Sequence, residues 1–262
     1  MGDQRPPVEQ ILARMPELGP YGREAALLHP ERGTPGVRDS SIGGPLLWPA
    51  DEPWPTCSVP DGESPSGAPA SPMVPVVQLF AADVPGPWWP DGSDVLQILW
   101  CPNEHWDAPP HQADVSPVVM LRRRSSADVG AVLENPPAPL RHEEFGYLPQ
   151  PCVVKPEHLV DFPFREELPH TLRGRLQQLV DGTGPEGQDV ITRVAGWKLG
   201  GWPTWHLTEP WAFKCEVCAA EMRLLFTIAS DDATDVVVGR WGDLRIFSCV
   251  ADHRHPFEVD LH

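Results

Sequence analysis

Six cysteines and ten histidines supply most of the metal-binding chemistry in this chain, and five of these residues fall between positions 215 and 255. Cys215-Glu-Val-Cys218 is a Cys-x2-Cys knuckle, and Cys249-Val-Ala-Asp-His253-Arg-His255 follows thirty-one positions on (249 − 218). In such a knuckle both thiolates turn toward one ion while backbone amides stabilise the sulfur charge. A second pair from another strand end completes the tetrahedron that Zn²⁺ prefers with sulfur and nitrogen ligands. The expected ligand set is Cys215, Cys218, Cys249 and His253, with His255 as the alternative fourth ligand.

His253 ranks ahead of His255 because the chain repeats itself. Gly43, Gly44, Trp48, Glu52, Pro53 and Trp54 recur as Gly200, Gly201, Trp205, Glu209, Pro210 and Trp211 at a constant offset (201 − 44 = 157), with Cys57 and Cys215 following each copy. A second constant offset (249 − 101 = 148) then maps Leu96, Ile98, Cys101 and His105 onto Leu244, Ile246, Cys249 and His253. Two ordered, gap-free blocks mark an internal duplication. The first copy therefore offers a second candidate metal site, Cys57, Cys101 and His105, without a counterpart of Cys218. Its fourth ligand is left among His111, Asp107 and the 58–71 loop, or the copy has lost its metal. Three ligands with an open position is also the form of a catalytic zinc site, with Glu104 as a nearby candidate base. Cys152 has no repeat counterpart and reads as a buried thiol.

The elements that would position these residues are mostly strands. The 34 prolines are more than twice the usual share, which rules out long helices as the main architecture. Val74–Phe80, Val95–Trp100 and Val118–Arg123 read as strands in the first copy. Leu224–Ile228 and Leu244–Phe247 repeat the first two, with Val236–Val238 as an extra strand. Pro7–Met15 reads as a short helix from Val8, Ile11, Leu12 and Met15. Pro156–Val160 and Glu166–Val180 form a helical section, ended by Asp181-Gly182. Ser58–Ser71 is a Ser/Pro/Gly/Ala surface loop.

The expected class is α+β: β-rich, internally duplicated, with two pseudo-symmetric antiparallel sheet units and a few short helices. One composite domain would span 1–262, as pseudo-repeat 1 at about 40–125, a helical connector at about 126–190 and pseudo-repeat 2 at about 191–262. The repeated Gly-Gly pairs lack phosphate-loop spacing and point to positive φ or close backbone approach. Eleven tryptophans serve mainly as core filler. Trp88-Trp89, bracketed by Pro87 and Pro90, are the candidates for exposed partner-binding anchors.

A formal net charge of −17 argues against nucleic acid and favours a basic protein partner. No stretch approaches the roughly 20 apolar residues of a membrane span. The first residues lack a signal-peptide core, and Pro6 breaks the myristoylation pattern. The expectation is a cytoplasmic protein in which cysteines serve as ligands or free thiols.

The chain also resembles the bacterial YwqG-like family of unknown function. The resemblance lies in Ser41-Ile-Gly-Gly-Pro with Trp48-Pro49, Met73-Val-Pro-Val-Val-Gln78-Leu, Leu96-Gln97-Ile98 and Lys198-Leu-Gly-Gly-Trp-Pro203. The second copy is similar to the zinc-bearing half-repeat of the programmed cell death protein 2 family. The matching parts are Lys198 to Trp205, Cys215/Cys218, Met222–Ile228 and Phe247-Ser-Cys249, while Arg245 departs from the family's usual small or aromatic residue. These resemblances imply protein binding of the toxin-immunity or client-chaperone type, without catalysis. The alternative is a zinc-dependent hydrolase or small-ligand-modifying enzyme using the first-copy Cys/His site.

Overall fold

Pro7 sits just before the first helical residue, and Ile11 and Met15 project one turn apart into an apolar patch, so the chain opens with a helix, α1 (Val8–Arg14). The computed structural model describes residues 5–59, 70–106, 111–113, 115–140, 146–180, 194–205 and 209–262, without the side chains of 177–180. After α1 come β1 (Arg23–Leu27), β2 (Glu31–Arg32), β3 (Ser41–Ile42), β4 (Thr56–Cys57), β5 (Ser71–Pro72) and β6 (Val74–Phe80). They are followed by β7 (Val95–His105), β8 (Ser116–Arg124), β9 (Cys152–Val153), β10 (Glu157–Asp161) and α2 (His170–Val180). The chain closes with β11 (Lys198–Gly200), β12 (Met222–Ala229), β13 (Asp243–Cys249) and β14 (Glu258–Leu261).

The strands form two six-stranded sheets, ordered β10-β1-β11-β12-β13-β14 and β2-β9-β3-β6-β7-β8, beside the small β4-β5 hairpin. Their pairings are antiparallel, as expected for a β-rich α+β protein. Each sheet contains the same succession: a short strand running into a Gly-Gly corner, then three longer strands. Registers match too. Ile42 pairs with Val77 and Val77 with Ile98, while Leu199 pairs with Phe226 and Phe226 with Ile246. Both central pairs are bulged at equivalent points, between Pro75 and Val77 and between Leu224 and Phe226.

Alternation along β7 and β13 decides what each face carries. Leu96, Ile98 and Trp100, with Leu244 and Ile246, enter one apolar core shared by the two sheets. Cys101 and Cys249 therefore point to the opposite faces, where they join separate clusters with Leu99 and with Phe247. The repeated tryptophans are scaffold on those same faces. Trp48 meets Trp54 at 5.2 Å and Trp205 meets Trp211 at 5.8 Å. Arg124 lies 4.6 Å over Trp48, and Arg245, bonded to Asp260, lies 4.3 Å over Trp205.

The Gly-Gly corners are demanded by backbone geometry. Gly43 has φ +75°, and a Cβ there would sit 2.7 Å from the Gln150 backbone. Gly201 also has φ +75°, and a Cβ there would sit 2.5 Å from Asp161 Oδ2.

Three expectations need correction. Pro156–Val160 is mostly strand β10, because it pairs along the whole of β1, whose sequence Arg-Glu-Ala-Ala-Leu carries no β signal. Glu166 lies in a 3₁₀ turn, Arg165–Glu167, and helix α2 starts only at His170, since Pro169 disfavours helical geometry at Leu168. Val236–Val238 is not a strand: Val236 makes only isolated bridges to Gly146 and Asp231. In α2, Leu176 is fully buried and Leu172 packs beside it. The side chains of Leu179 and Val180, the Asp181-Gly182 stop and most of the 58–71 loop lie outside the described residues.

Candidate metal centres

Two Cys/His clusters with metal-ligand geometry lie among the described residues. In the second copy, Cys215, Cys218, Cys249 and His255 bring their ligand atoms within 4.8 Å of one another. The knuckle is built by a short turn closed by the Lys214–Glu221 bridge. In it the Ala219 N–H donates to the Cys215 carbonyl at 2.7 Å, and Ala219 takes a left-handed φ of 59°. Met222 stands directly opposite Cys249 in the β12–β13 register, which holds the strand-end thiol against the knuckle.

His255 replaces the expected His253. Strand β13 ends at Cys249, and the chain then folds into a turn in which the His255 N–H donates to the Asp252 carbonyl at 3.2 Å. That turn leaves His253 exposed at its corner and returns His255 to the sulfurs, with Nδ1 3.4 Å from Cys215 Sγ. Cys218 and Cys249 sulfurs are 3.5 Å apart. A zinc tetrahedron has edges of about 3.5 Å for S···N and about 3.8 Å for S···S, so the set is close to ligation distance. Burial alone would raise the Cys249 thiol, but hydrogen bonds from the Asp252 amide, His255 and the Ala251 amide bring it down to about 6. A thiolate at neutral pH is the form a metal requires.

In the first copy, Cys57, Cys101 and His105 form a three-ligand group with every member buried. Cys57 comes from the β4-β5 hairpin, and its sulfur lies 3.7 Å from His105 Nε2. Cys101 and His105 both lie on β7, which would separate them if it were regular. Between Trp100 and Glu104 the strand slips against β8, spending four residue steps against two, and this bulge brings the pair together. Here the thiol of Cys101 is pushed well above its ordinary range, first by its hydrogen bond with Cys57 and then by burial. Asn103 Nδ2 donates to it at 3.6 Å.

Of the suggested fourth ligands, His111 does not join this group. His111 sits between Glu258, at 2.6 Å from Nδ1, and Glu216 of the knuckle, at 3.0 Å from Nε2. It thus links the first copy to the Cys215–Cys218 knuckle, and Glu258 chiefly raises its pKa. Asp107 and residues 60–69 of the loop lie outside the described residues. Glu104 is engaged by the Tyr147 hydroxyl at 2.8 Å. Cys152 is buried and donates to the Ala233 carbonyl at 3.3 Å.

Trp88 and Trp89 are half-buried rather than exposed, because both indole N–H groups turn back to the Val84 carbonyl, at 3.2 and 2.7 Å. They line a groove of about 810 Å³ against β1, β12 and the turn after β13. The exposed indoles are Trp106, Trp211 and Trp241.

Sequence reasoning passed over two buried ion pairs, Arg245 with Asp260 and the more deeply buried Lys198 with Asp161. Lys198 Nζ meets Asp161 Oδ2 at 2.7 Å with both side chains 1% exposed. The Lys198-x-Gly-Gly motif was a signal for it; Asp161 carried none.

No helix among the described residues is long and apolar enough to cross a membrane. No protein-family profile and no curated protein matches the chain.

Proposed function

We propose that this is a zinc-stabilised, non-catalytic binding protein of the cytoplasm, in which the Cys215/Cys218/Cys249/His255 centre fixes the fold of the second copy. The observation that carries this reading is the completeness of that set: four ligands on two elements, with no coordination position left for a substrate. When bound, zinc would contribute folding free energy, since unfolded ligands do not preform a site. The motif resemblance to the YwqG-like family supports a protein as the partner, of the toxin-immunity or client-chaperone type.

Crosslinking and pull-down from native lysate with the zinc-loaded chain test the reading. It expects a saturable protein partner at moderate salt, lost when the zinc is chelated. Recovery of nothing above background contradicts it.

A hydrolase reading centres on Cys57, Cys101 and His105, whose three ligands leave one coordination position. Their complete burial and the engagement of Glu104 by Tyr147 weigh against substrate access and a free base. Metal-dependent turnover of ester or peptide substrates, lost in Cys101→Ala, would restore it.

A further inference from the structure

The groove beside Trp88 and Trp89 is arginine-rich in a chain whose formal net charge is −17. Four arginines line it, Arg23, Arg123, Arg223 and Arg254, against two carboxylates, Glu24 and Asp252. The arginines form two centres. Arg23 and Arg223 share Glu221, at 3.0 and 3.5 Å, and Arg23 is stacked 3.3 Å over Trp202. At the other centre Arg254 is bonded to Asp252 at 2.7 Å, and Arg123 donates to the His253 carbonyl at 3.3 Å.

Arg123 decides the sign of the site. Among the described residues it has no carboxylate partner, and burial lowers its pKa with no anion compensating. A partly desolvated guanidinium with free donors is a standing demand for an anion, best met by a carboxylate or phosphate that accepts two parallel bonds. The three consecutive arginines also divide as strand alternation requires. Arg122 and Arg124 reach Glu52 on one face of β8, at 3.9 and 2.7 Å, while Arg123 faces the groove.

One wall of the groove is the 250–254 turn, anchored at its two ends by the metal ligands Cys249 and His255. The Gly200-Gly201 corner forms another part, with Trp88 packed so closely that a Cβ on Gly200 would sit 2.9 Å from the indole. Two cationic centres with aromatic surface from Trp88 and Trp89 match an extended ligand bearing separated anionic groups and an apolar stretch.

We propose that this groove seats an acidic peptide segment of the partner, with one carboxylate on Arg123 and another at the Arg23/Arg223 centre. The proposal rests on the protein-binding reading above and reverses the expectation of a basic partner at this surface. Overall charge acts through the long-range field, which salt shortens to about 8 Å at physiological ionic strength; inside the groove the local arginines dominate.

The test is fluorescence anisotropy of a short fluorescein-labelled peptide of alternating glutamate and leucine, titrated with the zinc-loaded full chain at physiological salt. Saturable binding is expected, weakened about tenfold or more by Arg123→Gln, as loss of a charged hydrogen bond requires. The exposed Arg223→Gln should weaken it as well, with zinc content and thermal midpoint unchanged in both variants. Absence of binding, equal affinity for a lysine-leucine peptide, unchanged affinity in both variants, or displacement by inorganic phosphate at matched concentration overturns the proposal. Failure of the wider reading looks different: no partner is captured from lysate, whereas a captured partner held equally by Arg123→Gln overturns the groove assignment alone.

Discussion

Replacing Lys198 with methionine removes a buried cation while nearly keeping its shape. The ammonium donates three hydrogen bonds, to Asp161 Oδ2 at 2.7 Å, the Val194 carbonyl at 2.9 Å and the Trp202 carbonyl at 2.7 Å. Without it, Asp161 keeps only the Trp202 N–H, at 2.8 Å, and its Oδ1 has no hydrogen-bond partner among the described residues. Stranding one member of a buried pair costs about 3 to 5 kcal/mol, and coulombic attraction from Arg5 offsets part of that for Asp161. Against a total stability of about 5 to 15 kcal/mol, that is a large fraction. Urea unfolding followed by tryptophan emission gives the value directly if the slope is unchanged. The double variant Lys198→Met/Asp161→Leu should recover roughly half the loss. It removes the stranded charge but leaves the Trp202 N–H unsatisfied, at about 1 to 3 kcal/mol. A Lys198→Met cost below about 1 kcal/mol, or single costs that simply add in the double variant, would refute the reasoning.

Glu167 offers a pH test. Burial raises its carboxyl to about 7, outweighing hydrogen bonds to Oε2 from the Phe164 amide and Trp205 indole. The folded state therefore holds its proton more tightly than the unfolded one, a benefit complete below about 4.5 and lost as pH rises through about 7. Glu167→Gln should gain about 2 kcal/mol over wild type at pH 8, allowing for partial exposure, and almost nothing near pH 4; a pH-independent difference in urea midpoint argues otherwise. Gly201→Ala places a Cβ at a left-handed φ and 2.5 Å from Asp161 Oδ2, so a loss of about 2 to 4 kcal/mol is expected by thermal denaturation. A loss under about 0.5 kcal/mol would mean that the corner relaxes freely.

The legible parts of this chain were those written in short-range pattern. Strand β6 and the parity of β7 and β13 could be read from apolar runs, and the Gly-Gly corners from their repetition. The pairings of Cys57 with Cys101 and Cys215 with Cys249 followed from the same offsets. The choice between His253 and His255 was not legible, because offset counting assumes equal paths after the second cysteine. Strand β7 continues through a bulge to His105, whereas β13 stops at Cys249 and turns, which changes the spacing from four residues to six. Strands β1 and β10 stabilise each other through pairing, a long-range effect invisible in Arg-Glu-Ala-Ala-Leu. Prolines around Trp88-Trp89 suggested exposure, but two indole N–H groups found one carbonyl nearby. The arginine groove was not legible, because its arginines come from four elements and converge only in three dimensions.

The most direct measurement is zinc content by elemental analysis of the purified chain, of Cys218→Ser and of Cys101→Ala. Cys218 is the exposed candidate ligand, so its replacement removes a ligand sulfur with little change in packing. The account predicts one zinc per chain in wild type and in Cys101→Ala, and none in Cys218→Ser. Absence of zinc from the wild type, or zinc kept by Cys218→Ser and lost from Cys101→Ala, would contradict it.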